Sequence, residues 1–214
     1  MGRIVLLRHA EAAKNAEHRH GGPGTSLTAL GLSQALEFAR STKDLFPDLQ
    51  CVYFVRRPQC YETAVSVHSE IGVPLAEIEG LGPFSLGVLD GLSDEEAKVQ
   101  YPDCAQMMDE WRLGLIDISQ VRIPGATDVH LYFAQGKQFL AKVTAEHGSF
   151  LVVGTRSVLV LLWNILKEHH PGPGGSYFER PWRNCEWVEF MKSSGRSWSA
   201  TRGEPLEGKN DEAV

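Results

Sequence analysis

No segment of the 214-residue chain stays apolar for the roughly 20 residues that a membrane helix needs. The opening Met-Gly-Arg-Ile-Val-Leu-Leu-Arg-His reaches charge after four apolar residues, too few for the core of a secretion signal. A soluble, cytoplasmic protein with no membrane partner is therefore expected. Runs of Lys and Arg are also missing. The 21 basic residues are outnumbered by 27 acidic ones, giving a net charge of −6 and a pI near 5.8. A nucleic-acid binder needs a positive stripe, so no nucleic-acid partner is expected. Cysteine is scarce: Cys51, Cys60, Cys104 and Cys185 are too few and too scattered for a disulfide scaffold or a paired metal site. They read as free thiols in a reducing compartment. Internal repeats and domain boundaries are absent as well.

What is present is 43% hydrophobic sequence, enough for one α/β domain with a full core. Apolar runs at Ile4–Leu7, Cys51–Val55 and Phe150–Val153 read as buried parallel strands. Helical patterns lie between them. Thr28 is the expected N-cap of a helix to about Lys43, and a second helix holds Thr63–Ile71 and stops at Gly72. Ser93 and Glu96 form an expected capping box, followed by helices over Thr127–His147 and Val158–Leu166. Strand alternating with helix implies a three-layer α/β/α sandwich around a mostly parallel sheet. Pro171–Gly175 reads as a loop and Glu186–Met191 as the last strand. Residues 1–192 are thus expected to form the domain, with Ser193–Val214 a polar, mobile tail.

In such sheets ligands sit beyond the carboxyl ends of the strands, which directs attention to Arg8-His9-Ala10-Glu11 after the first one. Leu6-Leu-Arg-His-Ala-Glu11, Asn15, Ser26-Leu-Thr-Ala-Leu-Gly31 and Gln34-Ala35 follow one another in register. Together they resemble the opening of the histidine phosphatase (phosphoglycerate mutase-like) superfamily. The similarity continues through Thr63-Ala64, Gly87 with Asp90-Gly91-Leu92, Pro124-Gly125 and Leu151–Gly154, and reaches Asn184. The resemblance implies that family's fold and a pocket built for phosphoryl transfer. There, one histidine attacks phosphorus, two arginines and a second histidine hold the oxygens, and an acid handles the leaving group's proton. Each role has a physical reason: a neutral imidazole is the nucleophile, and arginine binds phosphate through two parallel hydrogen bonds.

Carried over by position, His9 matches the nucleophile, Arg8 the first arginine and Asn15 a further pocket donor. The second arginine's position, four residues before the Thr-Ala pair, holds Gln59. Where the acid is expected stands Pro83 of Leu81-Gly82-Pro83, and where the second histidine is expected stands Thr155. Three of five roles are then unfilled, and losing one oxyanion donor alone typically costs roughly 10²- to 10³-fold in rate. Arg56, Arg57 and Arg156 lie close enough in sequence to be considered as replacements for the missing clamp.

The candidate catalytic residues are accordingly His9, Arg8 and Asp90, the last matching a second acidic position of the family. Asn15, Gln59, Thr155, Arg57 and Arg156 are the candidate substrate-binding residues. Glu11 reads as structural. His18 and His20 offer a His-x-His pair with no supporting ligand cluster, so no metal is expected, and no cofactor either. The five tryptophans read as core or lid residues, and Cys60 as packing. Three functions fit: a repurposed enzyme using His9 on a small, neutral or singly charged organic substrate, a weak phosphomonoesterase, or a binding protein. The first is preferred. A small molecule is the expected partner, and a homodimer is compatible with the reading.

Overall fold

The computed structural model describes residues 2–13, 21–145, 148–192 and 198–202. Its centre is strand β1 (Gly2–Arg8), whose residues Ile4–Leu7 are at most 1% exposed. Beside it runs β4 (Ser149–Gly154), in which every residue is buried. Strands so uniformly apolar have to be covered on both faces, and β1 and β4 pair in parallel. The sheet continues through β2 (Leu49–Phe54) to the short β3 (Leu75–Glu77), also in parallel. On the other side, β5 (Trp187–Lys192) is antiparallel to β1, and β6 (Trp198–Arg202) is antiparallel to β5. The order is β3-β2-β4-β1-β5-β6.

Strand β6 corrects the expectation that everything after residue 192 is tail. An antiparallel edge strand is held by backbone pairing along one side, so it does not require the apolar run that marks a buried strand. Residues 203–214 and 193–197 lie outside the described residues.

Six α-helices are found among the described residues: α1 (Ala29–Leu45), α2 (Pro58–Ile71), α3 (Asp94–Gln100), α4 (Pro102–Arg112), α5 (Val129–Ala145) and α6 (Arg156–Leu166). Thr28 caps α1 by accepting from the Gly31 amide at 2.9 Å. Ser93 and Glu96 form their reciprocal box at α3, and α2 ends at left-handed Gly72. Helix α2 starts five residues before Thr63, because Pro58 takes the first helical position, where its missing N–H is harmless. Helix α4 mixes polar and apolar residues and has no counterpart in the sequence expectations, nor does the three-residue β3.

Helix α6 is buried from Val158 to Leu162 on all sides and forms part of the main core. Leu89, Ala97, Ala105, Met108 and Ile123 make a separate small core around α3 and α4. This second core supports a lobe beside the carboxyl edge of the sheet.

Candidate active site

Because β1 and β4 are parallel and in register, Arg8 sits opposite Gly154 and the chain leaves both strands at the same edge. His9 and Thr155 therefore emerge side by side, and the His9 amide donates to the Gly154 carbonyl at 3.2 Å. This is the edge where open parallel sheets bind ligands. A cavity of about 700 Å³ opens there, lined by Arg8, His9, Arg57, Asp90, Thr155 and Arg156 among others. The sheet edge thus gathers six of the eight candidate residues around one space.

His9 is 2% exposed, and its Nδ1 lies 2.7 Å from the Ala10 carbonyl oxygen. A carbonyl only accepts, so this contact fixes a proton on Nδ1, and in the neutral ring Nε2 is then the nitrogen that carries the lone pair. The turn is tied down from several sides. The Ala10 amide donates to Thr63 Oγ1 at 3.1 Å, and that hydroxyl donates to the Gln59 carbonyl at 2.7 Å. Gln34 Oε1 accepts from the Glu11 amide, while Glu11 accepts from the Thr28 hydroxyl. Gly31 packs its α-carbon directly against the Glu11 carbonyl, where any Cβ would clash. The small and polar residues recognised in the sequence as Thr63, Gly31 and Gln34 thus act by holding the histidine turn.

Arg8 donates through Nη1 to the Trp182 carbonyl, and its own amide donates to the Glu186 carbonyl. Cys185 lies nearby, and burial pushes its thiol up to about 12, with Arg8 pulling the other way. Arg57 is the N-cap residue of α2; its Nη1 donates to the Arg56 carbonyl at 2.9 Å, and no carboxylate among the described residues pairs with it. Arg56 points elsewhere: its side chain is 82% exposed and lies 3.4 Å from Glu77. Arg156 lines the cavity but is paired with Glu179.

Gln59 is the exception among the candidates. It is fully buried and does not line the cavity, and neither amide atom has a hydrogen-bond partner. Gly24 lies over it, close enough that a Cβ there would stand 2.6 Å from Gln59 Oε1. Buried and outside the cavity lining, Gln59 is not placed for the direct substrate contact expected of it, and Gly24 packs against its amide oxygen. Asn15, His18 and His20 lie outside the described residues.

Asp90 faces the cavity while accepting from the Ser85 hydroxyl at 2.7 Å and the Leu86 amide at 3.0 Å. Gly21, in the left-handed region with φ 47°, packs against its carboxylate. Thr155 Oγ1 is 3.3 Å from Ser157 Oγ, which in turn accepts from the Phe84 amide. The Tyr132 hydroxyl stands beside Ser157; burial drives it above the usual phenol range despite the opposing pull of Ser157.

Several cavity residues have no motif in the sequence. Arg112, Arg122, Asp128, His130 and Glu179 all line the space. Their sequence context is that of ordinary polar loops and helix ends, so only the folded lobe reveals them. Among the described residues no group of three or more His, Cys, Asp or Glu side chains is placed to hold a metal. No helix among them is long and apolar enough to cross a membrane.

A mostly parallel α/β sheet with Arg8 and His9 turning out at its carboxyl edge has the architecture of the histidine phosphatase fold. The family model of the histidine phosphatase superfamily (branch 1) matches residues 4–201, and the chain belongs to that family. The native mycobacterial glucosyl-3-phosphoglycerate phosphatase is similar at 20% identity, with a TM-score of 0.77, over 94% of this chain and 97% of that one. The phosphoserine phosphatase of Entamoeba histolytica, solved with 3-phosphoglyceric acid, is similar at 18% identity and a TM-score of 0.77, over 97% and 98%. A comparison with curated proteins gives no match.

Proposed function

We propose that this chain is an enzyme that uses His9 on a small organic anion held by Arg8 and Arg57, and that it is a poor phosphomonoesterase. The observation that carries this reading is the 2.7 Å contact between His9 Nδ1 and the Ala10 carbonyl. It leaves Nε2 as a base or nucleophile in a cavity whose sheet-side wall is cationic. In its neutral form a ring held that way can form a bond to an electrophilic centre, or take a proton, at Nε2. Family relationship supports the fold of the site and the role of its first histidine.

Efficient phosphoryl transfer is a different matter, because it needs groups that this chain does not supply at the family's positions. Pro83 lines the cavity where a proton donor is expected and has no proton to give. Thr155 offers a neutral hydroxyl, and Gln59 a neutral amide lying beneath Gly24. Arg57 favours a second reading, a weak phosphomonoesterase, since it brings to the cavity a guanidinium with no carboxylate partner among the described residues, next to the position Gln59 occupies. The two readings part in a turnover assay with an activated aryl phosphate. Our reading expects almost no hydrolysis, and none that is lost in His9→Ala. Robust, His9-dependent hydrolysis would establish the phosphomonoesterase instead.

A further inference from the structure

The cavity is far larger than one small anion requires, and its cations do not all belong to the His9 end. Of its arginines, Arg112 is engaged by Asp109 at 3.2 Å and Asp94 at 3.7 Å, and Arg156 by Glu179. Arg122 has no carboxylate partner among the described residues, yet it lines the same cavity. It is carried by the other wall, next to Ile123 of the small second core.

Arg122 is also held in place. Its Nη1 donates to the Ser119 carbonyl and, at 3.1 Å, to that of Val121, which curls the guanidinium onto its own turn. The turn is fixed in its own right. Asp117 accepts from the Ser119 amide at 2.8 Å and from the Gly172 amide at 2.9 Å, and its amide donates to Gln120. Burial alone would raise the Asp117 carboxyl, but these hydrogen bonds and the nearby His130 outweigh it and hold the group below its ordinary value. Ile118 and Ile123, 7% and 8% exposed, anchor one end in the main core and the other in the small second core. The carboxylates facing this space are otherwise occupied: Asp128 accepts from the Leu131 amide, and Asp90 from Ser85 and Leu86. A fixed guanidinium without a carboxylate, facing an open cavity, is a place for an anionic group.

We infer that the substrate carries two separated anionic groups, one at Arg8, His9 and Arg57 and the other at Arg122. The same cavity is lined by Met108, Trp111 and Tyr132, which suit an apolar body. This rests on the reading of the His9 end as an anion site, and it revises the expectation of a neutral or singly charged substrate.

Calorimetric titration with two stable probes tests it. Benzylphosphonate carries one anionic group, and 4-(phosphonomethyl)benzoate adds a carboxylate across the ring. At low salt the second probe should bind at least about 10-fold tighter, as expected for a charge-assisted pair. In Arg122→Gln the ratio should fall to within about 2-fold, with the benzylphosphonate Kd unchanged. Because that change could disturb the turn, Arg122→Lys is the second variant: it keeps the charge, loses the fork, and should give an intermediate ratio. Equal affinity of the two probes for the unmodified protein, or a ratio that survives in Arg122→Gln, overturns the inference while leaving the His9 site intact. If neither probe binds, the anion site at His9 fails and the inference with it.

Discussion

Arg156 and Glu179 form an ion pair at the wall of the cavity, and the pair removes one of three sheet-edge guanidiniums from service. Glu179 is positioned for this by Asn164, which is fully buried and brackets Phe178, donating to its carbonyl at 2.9 Å and accepting from its amide at 3.0 Å. If Glu179 neutralises Arg156, then Glu179→Gln should tighten benzylphosphonate binding. The Arg156 side chain is 48% exposed, so the gain is small, about 0.5–1 kcal/mol or roughly 2- to 5-fold in Kd, and it should vanish at high salt. Calorimetry at two ionic strengths checks both parts.

Asn164 itself should be among the less tolerant positions. Besides Phe178 it donates to the Val160 carbonyl at 2.8 Å, and His169 Nδ1 lies 3.2 Å from its oxygen. Asn164→Ala leaves buried backbone groups unpaired and should lower stability by about 2–4 kcal/mol, measured by denaturant unfolding.

The fold was legible where burial dictates sequence. Ile4–Leu7 and Phe150–Val153 lie in strands buried on both faces, and Thr28, Gly72 and the Ser93–Glu96 box mark helix ends by local hydrogen bonding. It was not legible at β6, where edge pairing is a backbone matter, or at α4, whose short stripe of Cys104, Ala105, Met108 and Trp111 is interrupted by charged residues. The site divides in the same way. Arg8, His9, Arg57, Thr155 and Arg156 follow from their places at strand and helix ends. Arg122 and Glu179 reach the cavity only through tertiary folding, and the burial of Gln59 under Gly24 depends on a loop conformation that spacing does not encode.

Gln59→Arg puts a larger, charged side chain under Gly24 and should destabilise the protein by about 1–3 kcal/mol while adding no phosphatase turnover. Joined with Pro83→Glu and Thr155→His it should recover some aryl phosphate hydrolysis, since groups acting as a unit are strongly non-additive. Full activity from Thr155→His alone would show that the other two positions are assigned wrongly.

Alkaline conditions should weaken the fold steeply. Burial raises Cys185 from 9.0 to about 12 and holds the Tyr132 and Tyr177 phenols above their ordinary 10.0. As pH climbs past 9 to 10 the unfolded chain releases these protons while the native state keeps them, so stability falls with rising pH. Below that range all three are protonated in both states and contribute no slope. Urea midpoints from pH 7 to 11 check this, and Tyr177→Phe should flatten the fall. By the same cause Cys185 should resist alkylation in the native protein at pH 8.

The central claim is that His9 presents an unprotonated Nε2 to an anion held in the cavity, and nitrogen NMR of the histidine rings reads it directly. With ¹⁵N-labelled protein near neutral pH, His9 should show the Nδ1–H tautomer, and its Nε2 resonance should move as benzylphosphonate is added, with no such resonance in His9→Ala. An Nε2–H tautomer, or a ring that ignores the phosphonate while the ligand binds, would contradict the account.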